Sequence, residues 1–276
     1  MTGPPFADGF TLALGGGGAR GWAHIGVARA LAARGMRPRR IVGTSMGAII
    51  GAGMAAGRTA EHMEAEARRT SFYRLMSRRG RFALFDPRPL LELVARDLGD
   101  PRIEELPTPL GVTAYDLVAG RPRLITSGRL VDALEISIAV PFFFPPRRDP
   151  DGVWCDAGPW EGIPVSLARA WDPELPVVGV LADAPKPAFL SSRYGAALLR
   201  AASARLGVGT AADRLTARRF LALLTVRWAD PVVVEAPDLA ITPRLGRMNA
   251  LQFGRVGAAI AAGERDTHLA LASIGA

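Results

Sequence analysis

Two short β-prone runs near the start of the chain each lead through a glycine-containing turn into a helical pattern. The first run, Phe10 to Leu14, ends on four consecutive glycines, and helix-like spacing of apolar residues follows from Arg20 to Arg34. The second, Arg40 to Val42, leads through a five-residue turn into a helix of small residues, Ala48 to Ala56. Because strands joined by a crossover helix run parallel, this βαβα order predicts a parallel sheet with helices on its faces.

The remaining chain continues with strand and helix patterns and contains no internal repeat or linker. The apolar run Val177 to Leu181 is typical of a strand in the middle of a parallel sheet. Further strands are predicted at 110–115, 123–126, 153–155, 232–235 and 239–242, and helices within 61–98, at 130–140, within 189–227 and at 253–272. We therefore expect one domain over residues 1–276.

Composition excludes a disordered chain and gives weak information on partners. Of 276 residues, 49% are hydrophobic and 22% are charged, which is too apolar for disorder. The net charge of +8 comes from arginine, since Lys186 is the only lysine. These basic residues alternate with acidic ones and form no basic arm, so we expect no nucleic-acid partner. The segment Arg68 to Arg88 is the candidate for peripheral contact with anionic lipid, an ordinary solvated helix pair being the alternative.

Cysteine and histidine are too scarce for a metal site. Cys155 is the only cysteine, which excludes an internal disulfide and a cysteine cluster. His24, His62 and His268 lie far apart in the sequence, so we expect no metal site. We also expect no cofactor.

No segment of the sequence has the pattern of a signal peptide or a membrane span. The first residues carry no basic region, and the longest apolar run, Ile41 to Ala56, contains four glycines and falls short of the roughly 20 residues that cross a bilayer. We expect a cytoplasmic protein, with peripheral association at the inner membrane face as the membrane-bound alternative.

Residues 43–47, Gly-Thr-Ser-Met-Gly, match the G-x-S-x-G pattern between a strand and a helix. In a nucleophile elbow the serine lies on a strained strand-to-helix turn, and glycines such as Gly43 and Gly47 leave room for close packing. The motif predicts Ser45 as a nucleophile. A serine that only caps the following helix is the structural alternative.

Gly15 to Gly18 lie between the first strand and its helix, where their bare backbone N–H groups can converge on an anion. A dinucleotide site would need an acidic residue after the second strand, where this chain has the Ser45 turn. A phosphate-binding P-loop would need a Gly-Lys pair, which is missing. The loop is better interpreted as an oxyanion hole.

Asp156 is the best candidate for the base that activates Ser45. It follows the short strand 153–155 and opens the turn Asp-Ala-Gly, from which a carboxylate can accept the serine proton directly. The histidines fit less well, because His24, His62 and His268 all fall within predicted helices without a catalytic pattern. An Asp-x-Gly sequence that is only a turn is the structural alternative.

Taken together, the glycine loop, the Ser45 elbow and the Asp156 turn resemble the signature of bacterial patatin-like phospholipases. The resemblance extends to 112–117, 136–146 and 241–263, and thus covers nearly the whole chain. It implies a three-layer α/β/α sandwich with a mainly parallel central sheet and a Ser–Asp dyad that hydrolyses lipid acyl esters.

Carried over to this chain, the resemblance makes Ser45 the nucleophile and Asp156 the base. The amides of Gly16, Gly17 and Gly18 would bind the oxyanion, and Arg20 would brace the loop or contact substrate phosphate. Two positions depart from the family pattern, which usually has glycine at both: Ala157 after the aspartate, and Phe142 after the proline that closes the preceding helix.

Two other functions fit the same residues. An α/β-hydrolase would use a Ser–Asp–His triad, here Ser45, Asp156 and His268 in that chain order. A regulatory protein would hold an anion on the glycine loop without catalysis.

Overall fold

The structure is a computed structural model that describes residue 6 and residues 8–69, 77–78, 85–140, 143–182 and 235–275. Within these ranges the strands are β1 (Thr11–Leu14), β2 (Arg40–Gly43), β3 (Ser77–Arg78), β4 (Phe85–Asp86), β5 (Leu110–Asp116), β6 (Arg121–Ile125), β7 (Arg147–Asp149), β8 (Gly152–Cys155), β9 (Val177–Val180) and β10 (Leu239–Ile241). The α-helices are α1 (Ala23–Ala33), α2 (Met46–Ala55), α3 (Ala60–Arg69), α4 (Arg88–Leu98), α5 (Leu130–Ser137), α6 (Val165–Trp171) and α7 (Val256–Ser273). Two 3-10 helices, Gly18–Trp22 and Ile103–Glu105, lie between them.

Eight of the strands form one mixed sheet. Five of them run parallel in the order β10-β9-β1-β2-β5, as the βαβα pattern predicts. The other three are antiparallel additions, because β6 and β8 both pair with β5 and β7 pairs with β8. The mainly parallel central sheet is therefore confirmed.

Helices cover both faces of this sheet. In β1, Leu12 and Leu14 face one side, where they pack in a large apolar cluster with α1, α2, α5 and α7. Ala13 faces the other side and packs with Val165 and Ala168 of α6. This alternation follows from the period of two in a strand, and it produces the predicted α/β/α layers.

The structure differs from the sequence predictions in several local elements. Two helices, α3 and α4, lie within the predicted helical region 61–98, and the short pair β3–β4 between them was not predicted. Strands of two residues are too short to show an alternating pattern, which explains why the sequence did not reveal them. Strand β7 and helix α6 were also not predicted. The helix predicted within 189–227, residues 232–234 and most of the segment Arg68 to Arg88 fall outside the described residues.

Helices α1 and α7 pack in close contact through glycine. A Cβ atom added to Gly26 of α1 would lie 1.9 Å from the carbonyl oxygen of Ile260 in α7. A Cβ atom added to Gly263 of α7 would lie 2.0 Å from the carbonyl oxygen of Ala23. Since neither helix backbone can give way cheaply, these two glycines set the distance between the helices.

We predict that Gly26→Ala lowers the free energy of unfolding by about 2–3 kcal/mol, because the added methyl group forces α1 and α7 apart. Helix propensity alone would make the Gly26→Ala protein more stable than wild type by about 1 kcal/mol. A decrease in the free energy of unfolding therefore indicates the close packing of the two helices. Urea denaturation of the variant measures the change. Gly254→Ala is the control, since Gly254 has open space around it and no positive φ. A more stable Gly26→Ala protein would contradict the helix contact.

Candidate active site

Ser45 lies at the turn between β2 and α2 in a strained backbone conformation. Its φ is +56° and its ψ is −123°, which places a residue with a side chain in a region that favours glycine. Although Ser45 is the residue before the first turn of α2, its side chain makes no capping hydrogen bond. The structure therefore gives no support to the interpretation of Ser45 as a simple helix cap.

The two glycines of the elbow occupy positions where backbones approach closely. A Cβ atom added to Gly47 would lie 2.4 Å from the carbonyl oxygen of Leu14 at the end of β1. A Cβ atom added to Gly43 would lie 2.5 Å from the Cα atom of Ala48. These contacts bring the first turn of α2 directly against the ends of β1 and β2, as the elbow motif predicts.

The sheet brings Asp156 toward the same turn. Strand β6 covers one edge of β5, whereas β2 and β8 share the other edge: β2 pairs with residues 110–112 and β8 with residues 115–116. Because β2 runs parallel to β5 and β8 runs antiparallel to it, the two strands point toward each other. The chain continues from β2 to Ser45 and from β8 to Asp156, and both residues emerge beside residues 113–114.

Short contacts fix the residues in this gap. The hydroxyl of Thr113 donates to Thr44 Oγ1 at 2.8 Å, next to the serine. A Cβ atom added to Gly158 would lie 3.7 Å from Thr44 Cγ2, so the turn after β8 lies against the elbow. Asp156 is only 2% exposed, and its Oδ1 accepts the N–H of Gly158 at 2.6 Å. The carboxylate is therefore held within its own turn.

Ala157, where the family pattern has glycine, fits this turn without strain. It is buried, and its φ is not positive, so the position does not require glycine. Phe142, the other departure from the family pattern, falls outside the described residues.

The glycine loop lies beside Ser45. A Cβ atom added to Gly16 would lie 3.4 Å from Ser45 Cβ, which is direct contact between the loop and the elbow. Gly17 has a φ of +132°, and a Cβ atom there would lie 2.3 Å from the carbonyl oxygen of Ala182. Only glycine fits this conformation and this space. The structure therefore brings the predicted oxyanion loop and the predicted nucleophile together.

Arg20 holds the glycine loop to two other segments. Its side chain is 7% exposed, its Nε donates to the carbonyl oxygen of Ala182 at 3.2 Å, and its Nη1 donates to that of Met248 at 2.8 Å. Ala182 follows β9, and Met248 precedes α7. These hydrogen bonds join Arg20, which follows the glycine loop, to the segments after β9 and before α7.

His24 supports the same loop from α1. It is fully buried, and its Nε2 lies 2.9 Å from the carbonyl oxygen of Gly15, while Nδ1 has no hydrogen-bond partner among the described residues. Burial lowers the pKa of His24 to about 4, although the contact with Gly15 offsets part of that shift. His24 is therefore neutral at pH 7, and only the tautomer with Nε2–H can donate to Gly15.

Cys155 and the other two histidines do not form a comparable site. Cys155 is fully buried, and burial together with the neighbouring Asp156 raises the pKa of its thiol well above the usual range. It is therefore a neutral thiol, which is a poor nucleophile. His62 is exposed on α3 and lies 2.7 Å from Asp97, and His268 is half-buried on α7.

Ser137 contacts the elbow and was not predicted as a site residue. The backbone N–H of Ser45 donates to Ser137 Oγ at 2.9 Å, and Ser137 is the last residue of α5. Ser137 falls inside the segment 136–146 that resembles the family, but neither its residue type nor its position in a helix pattern indicated this contact.

Two further observations concern metal sites and membrane spans among the described residues. In the ranges given above, no group of three or more His, Cys, Asp or Glu side chains is placed to hold a metal ion. Among those same residues, every helix is too short or too polar to cross a bilayer.

Comparison with known proteins supports the family resemblance. The model of the family "Patatin-like phospholipase" matches residues 12–169. An uncharacterised NTE family protein of Mycobacterium tuberculosis is 35% identical over 182 residues, which are 62% of this chain and 46% of that protein. The lysophospholipase NTE1 of Mycosarcoma maydis is 31% identical over 58% of this chain and 9% of its own length. Human patatin-like phospholipase domain-containing protein 6 is 33% identical over 58% of this chain and 12% of its own length.

A solved structure gives the same fold. VipD from Legionella pneumophila aligns with a TM-score of 0.54 over 96% of this chain and 67% of that protein, at 15% sequence identity. The chain spans less than half the length of the curated relatives named above. Because the family model covers more than half of this chain, including the glycine loop, the elbow and the Asp156 turn, the chain belongs to the patatin-like phospholipase family.

Proposed function

We propose that this chain is a serine hydrolase of lipid acyl esters, in which Ser45 is the nucleophile and Asp156 is the base. The observation that carries the proposal is the head-to-head arrangement of β2 and β8 on one edge of β5, which favours direct proton transfer between the residues that follow them. The strained backbone of Ser45 adds support, since such strain clusters at functional sites.

In the first half-reaction, the Asp156 carboxylate accepts the Ser45 Oγ proton as that oxygen attacks the ester carbonyl carbon. Negative charge develops on the former carbonyl oxygen, and the amides of Gly16, Gly17 and Gly18 stabilise it. When the intermediate collapses, the bond to the alcohol oxygen breaks. Asp156 returns its proton to the departing alkoxide, and an acyl ester remains on Ser45.

In the second half-reaction, water attacks the acyl carbonyl carbon while Asp156 accepts a proton from it. The same glycine amides stabilise the second tetrahedral intermediate. Its collapse breaks the bond to Ser45 Oγ, which regains the proton from Asp156, and the fatty acid leaves. Together the two half-reactions return Ser45 and Asp156 to their starting states.

Membership of the family is the reason for assigning lipid esters as the substrate class. The relative from Mycosarcoma maydis is named a lysophospholipase, and the human relative is named for its phospholipase domain. We accordingly propose a phospholipid or lysophospholipid ester as the substrate. We propose that Arg20 braces the glycine loop, because its Nε and Nη1 both donate to backbone carbonyls of other segments.

We predict that Ser45→Ala and Asp156→Asn each lower kcat by about 1,000-fold or more, because one removes the nucleophile and the other the base. The side-chain amide introduced by Asp156→Asn would retain an oxygen for the Gly158 N–H, so the second variant preserves the turn while losing the charge. The measurement is hydrolysis of p-nitrophenyl butyrate and of palmitoyl lysophosphatidylcholine in mixed micelles. Unchanged turnover in either variant would refute that residue's role.

His268→Ala separates the dyad from the triad alternative. The dyad predicts nearly full activity for this variant, because His268 takes no part in the reaction. A loss as large as that of Ser45→Ala would favour a Ser–Asp–His triad. A fluorophosphonate probe tests the non-catalytic alternative, since a regulatory protein would leave Ser45 unlabelled even with lipid micelles present.

We also predict that His24 makes the protein less stable as the pH falls. The unfolded chain binds a proton at His24 below about pH 6.5, whereas the folded protein does so only near pH 4, so stability declines over that window. Between pH 7 and pH 5, the free energy of unfolding should fall by about 2 kcal/mol less in His24→Gln than in the wild-type protein. Urea titrations of both proteins at the two pH values measure it. An equal loss in both proteins would show that His24 protonates in the folded state.

A further inference from the structure

The segment that ends α5 contacts the backbone of both proposed catalytic residues. Ser137 Oγ accepts the N–H of Ser45 at 2.9 Å, and two residues later the carbonyl oxygen of Ala139 accepts the N–H of Asp156 at 3.1 Å. Ser137 and Ala139 are both buried. One short stretch of chain therefore holds the elbow on one side and the Asp156 turn on the other.

The contact with Ser137 provides a hydrogen-bond acceptor for the backbone N–H of Ser45. Ser45 precedes the first turn of α2, so its N–H lies outside the hydrogen-bonded ladder of that helix. A buried N–H without a partner is unfavourable, and the Ser137 hydroxyl is the acceptor that the fold supplies.

The elbow would lose this anchor if the hydroxyl were removed. Ser137 is fully buried against the interior, so water has no free access to replace the missing oxygen. The neighbouring contacts of the elbow, from Thr113 to Thr44 and from Gly47 to Leu14, hold the residue before Ser45 and the helix after it. Among the described residues, the Ser137 hydroxyl is the hydrogen-bond partner that α5 provides to the backbone of Ser45.

We propose that Ser137 is a positioning residue for the reaction, and that its hydroxyl fixes the backbone of Ser45 relative to Asp156. The proposal rests on the function proposed above. Ser137 itself contacts neither the ester nor the transferred proton. Its hydroxyl affects the geometry between the Ser45 oxygen and the Asp156 carboxylate. Removal of the hydroxyl should therefore lower kcat and leave KM nearly constant.

The test compares Ser137→Ala with Ser137→Thr and with the control Thr267→Val. Ser137→Ala removes the acceptor, whereas Ser137→Thr retains it. Thr267 is also fully buried, but its hydroxyl bonds within α7 to the carbonyl oxygen of Gly263, so Thr267→Val removes a buried hydrogen bond away from the elbow. All kinetic values are taken on p-nitrophenyl butyrate at a temperature where near-UV circular dichroism shows each protein folded.

Ser137→Ala should lower kcat by about 10- to 100-fold with KM within about 2-fold, since a displacement on the order of 1 Å at a reacting group has effects of that size. Ser137→Thr should recover most of that loss, and Thr267→Val should retain wild-type kcat even if its Tm falls as far as that of Ser137→Ala. A kcat for Ser137→Ala within 2-fold of wild type would overturn the proposal. So would an equal loss of kcat in Thr267→Val.

Amide hydrogen exchange of the peptide containing residues 43–48 gives a readout that does not depend on catalysis. Ser137→Ala should increase exchange at the Ser45 amide, and unchanged exchange would overturn the proposal even if kcat fell. If wild type and Ser45→Ala showed the same hydrolysis, the proposed function would fail. Faster exchange in Ser137→Ala would then still establish the anchoring contact.

Discussion

The candidate site depends on how hydrogen bonds are divided along one edge of β5. Strand β2 uses residues 110–112 of that edge, and β8 approaches from the opposite direction and uses residues 115–116. The donors and acceptors on a strand edge have a fixed spacing, so the point where β2 ends determines how far β8 can extend. The edge of β5 between residues 112 and 115, which neither strand uses, is about 10 Å long. The segments that carry Ser45 and Asp156 both leave their strands within this gap.

The strained turn at Ser45 is stable because its surroundings leave the backbone no better conformation. A residue held in such a region costs about 1–3 kcal/mol, whereas each hydrogen bond that holds it returns about 0.5–1.5 kcal/mol. Here the N–H of Ser45 bonds to Ser137, and its carbonyl oxygen accepts the N–H of Ala48 in the first turn of α2. Gly47 allows that turn to pack on the end of β1. The strain of the turn is therefore offset by contacts on both of its sides.

The sequence predicted the parts of the site that local motifs encode. The glycine loop, the Ser45 turn and the strand before Asp156 each follow from a few neighbouring residues, and the βαβα order predicted the parallel sheet. The contacts that hold these parts together were not predicted, because they join distant segments. Ser137 lies 92 residues from Ser45, and Arg20 reaches a carbonyl 228 residues away. Nothing in a helix pattern around Ser137 distinguishes a serine that anchors an elbow from one that faces solvent.

In the proposed reaction, the change in charge favours a site built from a carboxylate and amides over one built on an imidazole. Direct transfer from Ser45 to Asp156 neutralises the carboxylate while the ester oxygen becomes negative, so one negative charge moves across the gap and none is created. A histidine base would become a cation in the same buried space, and burial already holds the pKa of His24 near 4. His24 instead remains neutral and bonds to the Gly15 carbonyl, whose peptide unit also carries the Gly16 N–H. In the proposed reaction, His24 therefore helps to orient the peptide unit that carries the Gly16 N–H, which is an oxyanion donor. Asp156 carries out the proton transfer.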